Sequence, residues 1–191
     1  MAIGIESCIQ TDPLDKYTTD DSRVYISNYD KKINFKDYQT YFLPDTVFII
    51  SNDRVRLSNR ASDKTFIQIF KANFEKYQYQ SIAKHKNPDL GIIVSRVSNS
   101  KIGSEAPHNV DFNSYWGFPI FDDLGFEYPG YYDNYEINDS IWNIEVVDLK
   151  NALKNQKLNV IWNVQIRGND VFEEDNFSFI QEKIFEISSF L

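Results

Sequence analysis

Groups able to do chemistry are few and widely separated in this chain. His85 and His108 lie in polar segments with no second His, Cys or carboxylate at the spacing a metal site uses. Cys8 is the single cysteine, so no internal disulfide can form, and no neighbour in sequence would stabilise its thiolate. There is no Gly-x-Ser-x-Gly elbow and no glycine-rich turn from strand to helix that could cradle phosphate. Carboxylates are plentiful, and Asp122, Asp123 and Glu127 would serve as an acid and base pair only if the fold brought two of them face to face. With Asp133, Glu136 and Asp139 they make an acidic stretch, but not at the spacing of a calcium loop. The expectation is a protein without catalytic residues, cofactor or metal.

What the chain offers instead is surface for binding. Between Asn99 and Asp139 no periodicity is visible, and Trp116, Phe118, Phe121, Tyr128, Tyr131 and Tyr132 stand among Gly117, Pro119, Gly125, Pro129 and Gly130. A loop of this length in a compact domain is usually functional or mobile. Its rings either fold back to seal an open sheet edge or form a surface that docks a partner or stacks on sugars. Those six aromatics are the candidate partner-binding residues.

The elements that must position this insert are legible from periodicity. Ile141 to Arg167 alternates cleanly. Trp142, Ile144 and Val146 are followed, after the polar link Lys154-Asn155-Gln156, by Leu158, Val160, Trp162, Val164 and Ile166. Asn143, Glu145, Asn159, Asn163, Gln165 and Arg167 occupy the other face. This is the pattern of an antiparallel hairpin with one wet face. Val24-Tyr25-Ile26 and Val47-Phe48-Ile49-Ile50 read as short strands, and Leu90 to Val97 as a strand buried on much of both faces. Ser51 to Asp63, with Arg54, Arg56 and Arg60, reads as a solvated loop. A helix is predicted over Lys64 to Ala83, capped by Asp63, with Phe66, Phe70, Phe74 and Tyr77 along one side. A second is predicted over Phe177 to Leu191, where Phe177, Ile180, Ile184, Ile187 and Leu191 trace one face. Asn176 is its natural cap, and Ser178 with Gln181 forms an alternative capping box.

Composition sets the outer limits. A chain of 191 residues with 42% hydrophobic content can bury one core, which points to a single domain over residues 23–191. Its 20 basic and 28 acidic side chains leave a net charge of −8, and the basic ones are scattered along the sequence. Nucleic acid is therefore not an expected partner, and an anionic lipid surface is a poor one. No run approaches the roughly 18 apolar residues of a membrane helix.

The first 22 residues bury little and read as a tether. Ile5-Glu6-Ser7-Cys8 partly matches the end of a bacterial lipoprotein signal, with Ile5 and Ser7 in place and Glu6 out of pattern. The expectation is a start that has lost the hydrophobic part of such a signal, with Cys8 as lipid-attachment site. A free thiol in a frayed terminus is the alternative.

The order of elements carries a resemblance. Asp37-Tyr38-Gln39-Thr40-Tyr41-Phe42-Leu43-Pro44 is followed by a helix and by Asn87-Pro88-Asp89-Leu90 entering a strand. Then come the insert, Ile144-Glu145-Val146-Val147-Asp148-Leu149, Val160-Ile161-Trp162 with Gly168, and a closing helix. From about Tyr25 to Leu191 this resembles the bacterial envelope lipoproteins grouped as domain of unknown function 4136. The chain departs from that pattern at Asn163 and Gln165, where Arg-Gly after the Trp is usual, and in its more acidic insert.

The resemblance implies an α+β fold, a twisted and mostly antiparallel sheet with two helices packed on one face, and no assigned activity. It strengthens the lipid reading of Cys8. The combined expectation is a non-enzymatic protein, lipid-anchored at the outer membrane of a Gram-negative bacterium on its periplasmic or surface face. It would bind other envelope proteins as an accessory subunit of a large assembly and touch the membrane only through its anchor. The alternative is a carbohydrate-active or ligand-binding protein using the insert aromatics with Asp122, Asp123 or Glu127.

Overall fold

The computed structural model describes residues 23–51, 54–98, 100–102, 135–137, 140–155 and 158–191. Within them the chain runs β1 (Val24–Tyr29), β2 (Thr40–Phe42), β3 (Val47–Ser51), β4 (Arg54–Ser58), α1 (Ala61–Glu75) and β5 (Gln80–Ser81). It continues as β6 (Leu90–Ser98), β7 (Ser100–Ile102), β8 (Tyr135–Ile137), β9 (Ile141–Asp148), α2 (Ala152–Asn155), β10 (Asn159–Arg167) and α3 (Phe177–Glu186). Eight of the strands form one mixed, open sheet in the order β1-β10-β9-β6-β2-β5. β9 covers one side of β6, while β2 and β3 divide the other: β2 runs beside Leu90 and Gly91, and β3 beside Ser95 to Ser98. β4 lies outside β3. The long pairings β1/β10, β10/β9 and β9/β6 are antiparallel, and the short ones of β2 and β3 to β6 are parallel. The fold is α+β.

Both long helices pack on the same face of the sheet. Phe66, Ile67, Phe70 and Phe74 of α1 share one core with Phe177, Ile180, Ile184 and Phe185 of α3 and with Trp142, Ile144, Trp162 and Val164 beneath them. Trp142 stacks flat on Phe66 at 3.8 Å. Its indole N–H donates to the Val171 carbonyl at 2.6 Å, and that of Trp162 donates to Ser27 Oγ at 3.0 Å. Both indoles thus bury large apolar surface with their one donor satisfied.

Several local readings are corrected by long-range structure. The supposed wet face of the hairpin is covered, for Asn143, Glu145, Asn163 and Gln165 are 2–9% exposed. The alternation in β10 breaks at a bulge between Val160 and Trp162, which places Ile161 and Trp162 together in the helix-side core and turns Leu158 and Val160 to the other face. The arginine-bearing segment after Ser51 is strand β4, not a loop.

Helix α1 begins before Asp63 and ends at Glu75, because Gln78 takes a left-handed φ of 71° and turns the chain back toward β5. Tyr77 therefore lies beyond the helix. Asp63 is no cap but a buried first-turn residue. Helix α3 stops at Glu186, which leaves Ile187 44% exposed. Asn176 makes no side-chain cap bond and instead donates to the carbonyl of Asp170, while Gln181, proposed for a capping box, is fully buried and donates to the Phe66 carbonyl across the helix pair.

Candidate functional site

The face of the sheet opposite the helices holds the polar residues that the alternation had assigned to solvent. Register places Ser95, Asn143, Gln165 and Ile26 in one row across β6, β9, β10 and β1, and Ile93, Glu145, Asn163 and Asn28 in the next. Asn163 Nδ2 donates to Asn143 Oδ1 at 2.8 Å, and Asn143 Nδ2 reaches Ser95 Oγ at 3.5 Å. The amide groups thus form a chain running across three strands. Arg167 Nη2 donates to Gln165 Oε1 at 2.8 Å further along β10. Apolar side chains flank the polar rows, with Phe48, Ile93, Val147 and Leu158 on one side and Val97 and Ile141 on the other.

Glu145 is the unusual member of this set. Burial pushes its carboxyl up to about 8, so at neutral pH it holds its proton and can donate a hydrogen bond. A neutral acid, amides and a hydroxyl can each donate and accept hydrogen bonds within this covered layer, and none of these groups is a strong nucleophile. Sequence reasoning missed the set because alternate polar residues in a strand normally mean water. Its only local signal was the density of amides in Asn143, Asn163 and Gln165.

The two central strands also lead along the chain into the insert. β6 and β9 lie side by side, and the chain leaves β6 for β7 and returns through β8 to β9, with Ser100 to Ile102 paired antiparallel to Tyr135 to Ile137. The stretch without visible periodicity therefore begins and ends in a strand pair. Residues 103–134 are joined to the two central strands through that ribbon. The proposed partner-binding residues Trp116, Phe118, Phe121, Tyr128, Tyr131 and Tyr132 lie outside the described residues, as do the carboxylates Asp122, Asp123 and Glu127, His108, and Cys8 with its tether. His85 sits exposed in a short 3-10 turn. Among the described residues no three His, Cys, Asp or Glu side chains are grouped to hold a metal, and no helix is long and apolar enough to cross a membrane.

Comparison with known proteins gives a consistent family and fold. A family model described as domain of unknown function (DUF4136) matches residues 26–187. A DUF4136 family protein from Bacteroides thetaiotaomicron, known from its crystal structure, aligns with a TM-score of 0.61 at 23% identity over 90% of this chain and 98% of its own. The PelC dodecamer from Paraburkholderia phytofirmans aligns with a TM-score of 0.37 at 8% identity over 85% of this chain and 94% of its own. None of the curated proteins matches.

Proposed function

This chain belongs to the DUF4136 family, whose function is unknown, and from that premise we propose a non-enzymatic, lipid-anchored envelope protein that acts by binding. In this reading it is an accessory subunit of an outer-membrane protein assembly in a Gram-negative bacterium, held to the membrane through Cys8. The observation that carries the reading is the antiparallel ribbon of β7 and β8, which bounds the aromatic-rich segment 103–134 in sequence and leads along the chain to β6 and β9, the two strands at the centre of the sheet. A binding loop gains most from a scaffold that does not move, since rigid support lowers the ordering cost of association. The cysteine after Ile5-Glu6-Ser7, followed by a polar stretch up to the first strand, supports a tethered arrangement.

The test is affinity recovery from native envelope with the triple variant Trp116→Ala, Phe118→Ala and Tyr132→Ala. Partner proteins recovered with the unaltered chain should be lost while the melting temperature stays the same. Undiminished recovery would remove the insert as the binding surface. Mass spectrometry of the protein made in a bacterial host with a complete signal segment should show acylated Cys8, and an unmodified cysteine after processing would end the anchoring proposal.

A further inference from the structure

Lysines that are scattered in sequence gather at one end of the fold. β1 and β9 finish there, and β2, β5, β6 and β10 begin there. The loop after β1 brings Lys31, Lys32 and Lys36, the chain after α1 brings Lys76, Lys84 and Lys86, and the link between β9 and β10 brings Lys150 and Lys154. Over residues 30–39, 75–89 and 148–155 there are eight lysines against five carboxylates, in a chain whose net charge is −8.

The five carboxylates are occupied in shaping the loops. Asp89 accepts from the backbone N–H groups of Gln39 and Thr40, Asp148 from that of Asn151, and Asp30 from that of Lys32. Asp37 accepts from the Asn34 amide and Glu75 from the Tyr41 hydroxyl. By contrast, Lys31, Lys32, Lys36, Lys86 and Lys154 are exposed and form no ion pair among the described residues.

At this end lies a groove of about 620 Å³, lined by Lys36, Gln39, Thr40, Tyr77, Gln78 and Gln80 among others. Lys76 adjoins the lining residue Tyr77. Lys150 Nζ donates to the Asp37 carbonyl at 2.6 Å and lies 5.6 Å from the ring of Tyr38, another lining residue. Tyr77 is 37% exposed, and its hydroxyl donates to the Phe185 carbonyl at 3.4 Å.

We propose that this groove, at the lysine-bearing end of the sheet, binds an acidic polysaccharide whose charge is carried by carboxylates on a hydroxyl-rich chain. The choice follows from the lining. Three primary amides, a threonine hydroxyl and an exposed tyrosine ring match the hydroxyls and C–H faces of sugars. A peptide would need an apolar anchoring pocket, and this groove is walled mostly by polar groups. Lysine supplies compact point charges suited to dispersed carboxylates, whereas arginine, the residue of bidentate phosphate recognition, is absent from these three loops. The site rests on described residues alone. It lies at the end of the sheet opposite the one where β6 finishes and shares no residue with the insert, so it stands or falls independently of the assembly role.

The experiment is calorimetric titration of the full chain with polyguluronate oligosaccharides, at low salt and at about 0.3 M salt. Binding is expected at low salt, weakened about tenfold or more at the higher salt as counterion release is lost. A Lys31→Gln, Lys32→Gln, Lys36→Gln and Lys86→Gln variant should lose about tenfold at low salt with an unchanged melt. Gln39→Ala with Gln78→Ala should weaken binding at both salts while keeping the salt dependence. Neutral dextran oligosaccharides should not bind. No binding of polyguluronate at low salt, or equal affinity in the lysine variant, would overturn the proposal. Polyglutamate or phosphatidylglycerol vesicles binding as tightly would overturn it too, assigning the end to a peptide or a lipid surface.

Discussion

Glu145 is 3% exposed in the central strand of the sheet, between Ile93 of β6 and Asn163 of β10. Its carboxyl, pushed up to about 8 by desolvation, sets a direction for the pH dependence of stability. An unfolded glutamate loses its proton near pH 4.5, while the folded one keeps it to about 8. Between those values the folded state binds more protons than the unfolded state, so stability falls as pH rises through that window and levels off above it. By pH 7 the loss is of order 3 kcal/mol. Glu145→Gln keeps the shape and the hydrogen-bonding capacity and removes the titration. We expect its melting temperature to exceed that of the unaltered protein at pH 7.5 and the two to converge toward pH 4.5. Equal melting temperatures across that range would show that the carboxyl titrates normally.

At the scale of elements, an ion pair joins the helix layer to the sheet. Asp63, in the first turn of α1 and 1% exposed, accepts from Arg96 Nη1 of β6 at 2.9 Å and from Ser58 Oγ at 2.5 Å. The Arg96 guanidinium lies 4.1 Å from the centre of the Phe172 ring and 5.5 Å from that of Trp142, so aromatic faces take up part of its charge. Removing one partner strands the other charge in the interior. Arg96→Met should cost about 3–5 kcal/mol in chemical denaturation. The double variant Asp63→Leu with Arg96→Met should recover most of that loss. An additive pair of losses would mean the two side chains act separately.

The same scale shows why the ends of elements escaped sequence reading while their faces did not. Phe66, Phe70 and Phe74 lie in the core as their helical spacing predicts, as do Phe177, Ile180 and Ile184. Where α1 stops depends on the left-handed Gln78 and on Tyr79 stacking back under Phe74 at 4.3 Å, a contact that local spacing does not encode. Ile187 continues the apolar stripe of α3 but falls past its last turn.

For the whole molecule, the open sheet implies a gradient of stability. β9 is buried along its full length and paired on both sides, whereas β5 is two exposed residues at one edge and β4, among the described residues, is paired only with β3. Hydrogen exchange should therefore be slowest for the amides of β9 and the facing parts of β6 and β10, and fastest among the strands for β5 and β4. Protection in β5 equal to that in β9 would contradict this arrangement. The two ends of the sheet differ as well. The chain passes into β7 from the end where β6 finishes, and the lysine-bearing loops occupy the other end.

Periodicity is a property of neighbouring residues, and what it can determine was readable in this chain. The hairpin from Ile141 to Arg167, the buried strand after Pro88 and the two apolar helix stripes follow from it, while the α+β class came with the family resemblance. Cross-strand pairing lies outside its reach. Only the tertiary structure divided one side of β6 between β2 and β3, buried the amides of the second face, and brought lysines from three distant segments to one end of the sheet. The physical reason is that alternation says which side chains share a face. Whether that face meets water or protein depends on partners dozens of residues away.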